Sequence, residues 1–318
     1  MKRILQLNGM HGLGDNLHLR SILREYWSSG KYDEIQLATS WVSVYWDFIQ
    51  EGWLKVVFKP TDLRTQTKNA MRELHLFAKP EFDPNASYIT KQDVWFRAQD
   101  IRERGSVLAA MCAHLDVDIG VGDFRLPINP AWESSYVRSI LKLADDRPIM
   151  IYRPLIMRTE WDGCAARNPD AQVYAKLYDS VRKDFFVVSV ADLVPNVEWI
   201  ADHEDARPNL ALHSGELPIE QLACLFSHAA MVYCSPGFAV IMAQAVETPV
   251  TCVFGGYENS RSFSVGAQWA PYLGIDPIKP CQCFQHHHPC DKRIDMPSAL
   301  GNIKEFARAA AASSKVFA

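Results

Sequence analysis

Residues 231–254, MVYCSPGFAVIMAQAVETPVTCVF, contain two runs typical of strands with a run typical of a helix between them. The runs 231–233 and 250–254 are short, apolar and rich in β-branched or aromatic residues, which predicts buried strands. Between them, a Pro-Gly turn ending at Gly237 precedes residues 238–246, an apolar segment long enough for a helix. A strand, a turn, a helix and a second strand in this order predict a parallel βαβ unit.

The same alternation extends toward both ends of the chain. It predicts strands at 3–7, 34–39, 54–58, 149–152, 185–190 and 210–212, and helices at 16–27, 106–115, 132–143, 171–182, 219–226 and 297–312. A polar break at 144–148 separates two such series. The predicted fold class is α/β, with two facing Rossmann-like domains over 1–146 and 147–296 and a C-terminal helix, 297–318, that packs back toward the N-terminal domain. Because open parallel sheets bind ligands at the carboxyl ends of their strands, the cleft between the domains is the expected site.

Composition excludes several classes of protein. With 48% hydrophobic and 22% charged residues, the 318-residue chain is typical of a folded protein. Its net charge of -4 argues against a protein that coats nucleic acid. No run approaches about eighteen consecutive apolar residues, so no membrane span is predicted. The first apolar run is too short for the core of a signal peptide, and a cytoplasmic location is therefore expected.

A glycine-rich loop, GMHGLGDN at 9–16, follows the first predicted strand and opens a helix. Gly12 and Gly14 permit positive φ angles and close approach of the backbone, and the free amides of a helix start favour an anion. The spacing fits neither a dinucleotide-binding nor a Walker loop, which argues against a dehydrogenase. Asp15 has two interpretations, a helix cap or a general base that takes a proton from an acceptor hydroxyl. His11 and His18 are rival bases.

The strand, the Gly-x-Gly-Asp loop and the following helix resemble the start of heptosyltransferase-type glycosyltransferases of lipopolysaccharide synthesis. Residues 217–256 extend the resemblance through a strand, a small-residue loop, a helix, a Thr-Pro-Val turn and a Phe-Gly pair. The resemblance implies a GT-B architecture and identifies Asp15 as the catalytic base. It places His11, Gly12, Gly14 and Asn16 on the acceptor side of the cleft.

The resemblance also implies where the nucleotide-sugar donor binds. The donor-side residues it implies are Ser235, Gly237, Phe238, Gly255 and Gly256. In the family an acidic residue usually stands where this chain has Ser235, and a histidine often stands where it has Val240. These departures put the donor in doubt, so ADP-heptose is not assumed.

The departing diphosphate requires positive charge in a transferase that uses no metal. Asp116–Asp118 matches a metal-binding Asp-x-Asp in letters only, because it lies between a predicted helix and a glycine turn. The candidate cations are Arg153, Arg158 and Arg167, which all follow the first strand of the second domain. Arg167 is favoured, since Arg167-Asn168-Pro169 is the nearest match to the family's basic residue.

Residues 281–290, CQCFQHHHPC, combine Cys281, Cys283 and Cys290 with His286, His287 and His288. The spacing is not Cys-x-x-Cys, and three adjacent histidines do not easily face one ion. A structural loop ranks first, a structural metal second and a disulfide third, and no catalytic metal is expected. No cofactor is predicted, and the nucleotide-diphosphate sugar acts as a substrate. A structural zinc is less favoured than a segment without metal.

The function predicted from these features is an inverting, metal-independent glycosyltransferase that moves a sugar from a nucleotide-sugar to a hydroxyl of a glycan or lipopolysaccharide-like acceptor. One alternative keeps the chemistry but uses a polymer acceptor such as modified DNA or protein, and nucleic acid ranks second because of the net acidity. The other is a non-catalytic nucleotide-sugar-binding protein, which the missing acidic residue at Ser235 supports.

Overall fold

The computed structural model describes residues 2–61, 64–79, 86–118, 122–159, 165–201, 206–285 and 287–313. The chain forms two compact units. The first comprises Met1–Pro127 with Pro218–Glu220, and the second comprises Ile128–Leu217 with Gln221–Ala318.

The first unit is built on a parallel sheet. Within its described residues four strands lie in the order β3-β2-β1-β4, with every neighbouring pair parallel. Leu5 and Leu7 of the central strand pair in register with Ile35 and Leu37, and all four are buried. The elements are β1 (Lys2–Asn8), α1 (Leu13–Ser28), β2 (Glu34–Thr39), α2 (Trp46–Gln50), β3 (Leu54–Phe58), α3 (Arg64–Arg72), β4 (Ala86–Asp93), α4 (Ala98–Arg104) and α5 (Val107–Leu115).

The second unit has a larger parallel sheet. In its described part six strands lie in the order β12-β11-β10-β5-β7-β9, and an antiparallel pair, β6 and β8, is separate. The elements are α6 (Ser135–Ala144), β5 (Ile149–Tyr152), β6 (Ile156–Arg158), α7 (Ala171–Asp179), β7 (Phe186–Val190), β8 (Glu198–Ile200), β9 (Leu210–Leu212), α8 (Ile219–His228), β10 (Met231–Cys234), α9 (Phe238–Ala245), β11 (Val250–Val253), β12 (Tyr272–Ile275) and α10 (Met296–Ser313).

Burial explains why the short apolar runs form strands. Every residue of β5, β7, β10 and β11 is buried, as expected of parallel strands covered on both faces. The predicted α/β class is confirmed. Among the helices of the described residues, none combines the length and apolarity needed to cross a membrane.

Two details of the predicted organisation differ from the structure. The division between units falls after Pro127 rather than after residue 146, and the segment before α6 is tied to α8, where Ser134 Oγ donates to Gln221 Oε1 at 2.9 Å. The C-terminal helix was predicted to pack toward the N-terminal domain. Instead, the buried face of α10, with Ile303 and Ala307, packs in the core of the second unit.

A cluster of tyrosines forms the centre of that core. Tyr152, Tyr174, Tyr178 and Tyr233 are buried, with ring centroids between 4.3 and 6.0 Å apart. Two of the hydroxyls link the cluster to the backbone, since Tyr233 donates to the Tyr174 carbonyl at 2.7 Å and Tyr174 donates to the Arg153 carbonyl at 2.7 Å. The cluster therefore fixes the residue that follows β5.

A buried cation anchors α1 in the first unit. Arg20 is fully buried, and its guanidinium forms two hydrogen bonds with the Asp47 carboxylate, at 2.9 and 2.7 Å. It also donates to the Arg125 carbonyl and to the Val44 carbonyl, and it lies 4.4 Å from the centre of the Phe48 ring. One side chain thus joins α1, α2 and the chain segment near residue 125.

We expect Arg20→Met to lower the free energy of unfolding by about 3 to 5 kcal/mol, because it leaves the Asp47 carboxylate without its buried partner. Arg24→Met is the matched control, since Arg24 lies one turn later on α1, 3.7 Å from Asp47, but keeps a third of its side chain exposed. We expect it to cost about 1 kcal/mol or less. Equal losses in urea unfolding would show that Arg20 does not anchor the helix.

Candidate functional site

The loop after β1 brings Asp15 into the first turn of α1. The helix begins at Leu13, earlier than predicted, so Gly12 is the N-cap and Asp15 is the third helical residue. Asp15 Oδ2 lies 2.5 Å from the position that a Cβ on Gly12 would take. The carboxylate therefore folds back over the helix start, where backbone amides and the helix dipole favour a negative charge.

Of the two properties predicted for the glycines of this loop, positive φ angles and close approach, the structure uses the second at Gly12. Gly12 has a φ of −71°, and Gly14 lies within α1, so neither uses a positive φ angle. At Gly12 the Asp15 carboxylate occupies the place that a Cβ would take, so a side chain at this position would displace that carboxylate. Close approach, rather than an unusual backbone angle, explains the residue.

Asn16 holds the loop in place. Its side-chain amide donates to the carbonyls of Met10 and Gly12 at 2.9 and 2.7 Å, and its Oδ1 accepts from Thr39 and Tyr45 at 2.8 and 2.9 Å. The side chain is fully buried. Asn16 was predicted on the acceptor side, but with both ends engaged inside the protein it positions the loop.

Further contacts fix the loop backbone and leave the His11 ring at the surface. The His11 carbonyl accepts from Trp41 Nε1 at 2.8 Å and from Gln66 Nε2, while His11 itself is exposed. Lys59 Nζ donates to the Gly9 carbonyl at 2.6 Å, and burial lowers the pKa of Lys59. Sequence reasoning missed Trp41, Lys59 and Gln66, since no local pattern marks residues that support a distant loop.

His18, the second rival base, is enclosed in the core. The ring is almost fully buried and packs edge-on against Phe124, with 4.7 Å between the ring centroids. Neither ring nitrogen has a hydrogen-bond partner among the described residues. Burial lowers the pKa of His18 to about 3. His18 therefore remains neutral and cannot reach a substrate.

In the second unit, Arg153 extends from the carboxyl end of β5 across the neighbouring strand ends. It donates to the Val190 carbonyl at the end of β7 at 2.8 Å, and its backbone amide donates to the Tyr233 carbonyl of β10 at 2.9 Å. Its guanidinium carbon lies 5.2 Å from the centre of the Phe238 ring. Burial lowers the pKa of Arg153 to about 10, so the group stays charged at neutral pH.

The turn after β10 brings Gly237 and Phe238 to the same strand ends. Gly237 has a φ of 155°, which side chains disfavour, and no described atom lies within 4 Å of the position of a Cβ. Phe238 is the first residue of α9, and its N-cap, Gly237, has no side chain that could cap the amides at the helix start. The amides at this helix start, the adjacent half-buried Ser235 and the charge of Arg153 form a candidate anion site.

Arg167, the arginine favoured by the sequence, is engaged elsewhere. Its Nη2 and Nε donate to Oε1 of the buried Glu258 at 2.7 and 3.0 Å, and its guanidinium lies 5.9 Å from the centre of the Tyr257 ring. Arg158 is likewise paired with Glu198, at 3.1 Å. Arg153, the third predicted cation, is not part of any ion pair among the described residues.

The two glycines after β11 have structural roles. A Cβ on Gly255 would clash with the backbone of Arg167 and Asn168, so this residue permits close contact between two loops. Gly256 has a φ of 91°, and a Cβ there would lie 3.3 Å from Cys290 Cβ. The structure brings Gly255 and Gly256 to Arg167 and the cysteine segment; no described contact joins them to Arg153.

Four residues of the cysteine segment could hold a metal ion. The ligand atoms of Cys281, Cys283, His288 and Cys290 all lie within 4.8 Å of one another. His286 lies outside the described residues, and His287 is not part of the group. Cys112, Cys224, Cys234 and Cys252 are buried free thiols.

The two units with their parallel sheets have the GT-B fold of heptosyltransferase-type glycosyltransferases. The family 9 glycosyltransferase of Veillonella parvula aligns with a TM-score of 0.61 and 13% identity, over 97% of this chain and 98% of that one. E. coli ADP-heptose LPS heptosyltransferase II aligns with a TM-score of 0.59 and 14% identity, over 97% and 99%. The iron-containing dodecameric glycosyltransferase TibC of enterotoxigenic E. coli aligns with a TM-score of 0.59 and 14% identity, over 97% of this chain and 76% of that one. No protein-family model matches the sequence, and no curated protein does.

The buried His18 makes stability depend on pH. Its pKa is about 3 in the folded protein and about 6.5 when unfolded, so the unfolded chain binds more protons between these values. The stability that the neutral ring retains above pH 6.5 is lost as the pH falls, by about 1.4 kcal/mol per pH unit. We expect His18→Leu to remove this part of the pH dependence in urea unfolding.

The difference between wild type and His18→Leu isolates this histidine from other groups. Glu73 acts in the opposite direction in part of the same range, because burial raises the pKa of its carboxyl to about 7. Since both proteins contain Glu73, its contribution cancels in the difference. Parallel stability curves from pH 7 to pH 5 would contradict the assignment.

Proposed function

We propose that this chain is a glycosyltransferase that moves a sugar from a nucleotide-diphosphate sugar to an acceptor hydroxyl with inversion at the anomeric carbon. The observation that carries the proposal is the arrangement of Arg153, Gly237 and Phe238 at adjoining strand ends. The fold likeness, over 97% of the chain, to proteins named as glycosyltransferases supports it.

The second unit would bind the donor through its diphosphate. The amides at the start of α9 would bind its phosphates, and the space where a Cβ on Gly237 would lie is open. Arg153 adds a positive charge that is held by the Val190 carbonyl and the Phe238 ring and needs little reorganisation. These groups would stabilise the charge that develops on the leaving diphosphate.

The first unit would activate the acceptor through Asp15. The loop contacts of Asn16, Trp41 and Lys59 fix the helix start that carries this carboxylate. In a single displacement, Asp15 would take the proton of the acceptor hydroxyl as the oxygen attacks the anomeric carbon. The bond to the diphosphate breaks in the same step, which inverts the anomeric configuration.

The donor is tested first by binding. In a thermal-shift panel of UDP-, GDP-, ADP- and CMP-sugars that includes ADP-heptose, we expect one nucleotide class to raise the melting temperature selectively. With that donor, we expect Arg153→Gln to raise the Kd about 10- to 100-fold, because a charge-assisted contact to phosphate is lost.

Arg167→Gln is the matched control, because Arg167 is already paired with Glu258. We expect it to change the Kd much less than Arg153→Gln does. A larger effect at Arg167 would move the diphosphate site to the loop around Glu258. Melting temperatures of both variants would show whether they fold normally.

The base is tested by Asp15→Asn, which keeps an oxygen that accepts a hydrogen bond at the helix start. We expect kcat to fall about 10²- to 10⁴-fold with the donor Kd and the melting temperature nearly unchanged. Glu25→Gln neutralises an exposed carboxylate on the same helix and should leave kcat unchanged.

Product analysis by NMR should show inversion at the anomeric carbon. Near-normal turnover of Asp15→Asn would refute its role as base. A wild-type protein that binds the donor but neither transfers nor hydrolyses its sugar would instead be a nucleotide-sugar-binding protein.

A further inference from the structure

We infer that Cys281, Cys283, His288 and Cys290 bind one structural zinc ion that fixes the loops next to β11. This inference does not rest on the proposed transferase activity. It differs from the sequence-based ranking, which placed a metal-free loop first. The distances between the four ligand atoms, the backbone of the segment and its contacts with neighbouring loops carry it.

The spacing of the ligand atoms matches a tetrahedral site. With Zn–S bonds of about 2.3 Å and Zn–N bonds of about 2.0 Å, tetrahedral geometry requires about 3.8 Å between two sulfurs and about 3.5 Å between sulfur and nitrogen. Cys283 Sγ lies 3.5 Å from Cys290 Sγ, and His288 Nδ1 lies 3.7 and 3.6 Å from the sulfurs of Cys281 and Cys290. These three distances fit tetrahedral geometry, and all four ligand atoms lie within 4.8 Å of one another, close enough to surround one ion.

The ligand types favour a soft transition metal, and zinc is the one that such a set typically holds in structural sites. Three thiolates and one imidazole form a soft, mixed set that is typical of structural zinc sites and unsuited to magnesium or calcium. The Gln285 amide lies 3.4 Å from Cys283 Sγ and donates to it, which stabilises a thiolate. Four protein ligands leave no open position, so the ion would be structural rather than catalytic.

The backbone between the ligands has an unusual conformation. Gln282 and Phe284, on either side of Cys283, have φ angles of 52° and 54°, in a region that residues other than glycine rarely adopt. Such angles persist where surrounding interactions impose them. They turn Cys281 and Cys283 toward the same point, which explains how a Cys-x-Cys pair can serve one ion.

The metal-binding segment is joined to the turn after β11. The amides of Gln282 and Phe284 donate to the carbonyls of Gly256 and Tyr257 at 2.8 and 3.2 Å, and the rings of Tyr257 and Phe284 lie 5.4 Å apart. Beyond Cys290, Lys292 Nζ donates to the carbonyls of Ala165 and Asn168 at 2.6 and 2.7 Å. Zinc would therefore fix the two loops that carry the Arg167–Glu258 pair.

The first test is the metal content of the full-length protein purified under reducing conditions. We expect about one zinc per chain by inductively coupled plasma mass spectrometry, and a chain stripped with a chelator should bind one equivalent of added zinc. In cobalt-substituted protein, thiolate charge-transfer bands and the d–d bands of a tetrahedral ion should appear. Stoichiometric iron in place of zinc would overturn the choice of metal, and failure of the stripped chain to bind zinc would overturn the site.

Two neighbouring histidines provide a matched pair of variants. His288→Gln should reduce zinc to well below one equivalent or abolish the thiolate–cobalt spectrum of the wild type, whereas His287→Gln should retain both. Cys290→Ser should behave as His288→Gln does. Equal zinc retention by His287→Gln, His288→Gln and Cys290→Ser would overturn the assignment.

Stability provides a readout that does not need a substrate. Removal of zinc from the wild type should lower the melting temperature by about 5 °C or more, and added zinc should restore it. His287→Gln should respond as the wild type does. A melting temperature that chelation leaves unchanged would show that the segment folds without the ion and would overturn its structural role.

Discussion

Parallel strand pairing is the constraint on which the rest of this structure depends. A parallel strand leaves the sheet at its carboxyl end, so consecutive strands deliver their loops to one edge. In the second unit this rule brings the residues after β5 and β10 together, although Arg153 and Phe238 are far apart in sequence. In the first unit it places the loop after β1 beside Thr39, at the end of β2. The turns that carry the charged residues and glycines of each unit therefore lie at one edge of its sheet.

The sequence predicted the bounds of several strands closely. β2, β3, β5 and β9 have their predicted limits, since each contains apolar residues and lies between polar turns. β4, β6, β8 and β12 were missed. β4 has the polar sequence ASYITKQD, whose Ile89 is exposed, and β12 contains Gly274. Strands with few buried side chains depend on pairing with neighbours, which local patterns do not reveal.

The choice between arginines shows what sequence alone could not decide. Arg167 precedes a helix and matches a family pattern, whereas Arg153 follows a strand without any motif. The deciding residue is Glu258, 91 positions after Arg167, because its buried carboxylate accepts two hydrogen bonds from that guanidinium. The cysteine segment is similar, since the φ angles of Gln282 and Phe284 bring its ligands together. Only the three-dimensional structure reveals which distant residues pair and which backbone angles a segment adopts.

The two interpretations of Asp15 are compatible rather than exclusive. An ionised carboxylate offers about four acceptor positions, so an interaction within the first turn of α1 leaves capacity for a substrate hydroxyl. Asn16 keeps in place the helix start that carries this carboxylate, so its position is set before an acceptor binds. Gly12 makes this possible because it gives the carboxylate room to fold over the helix start.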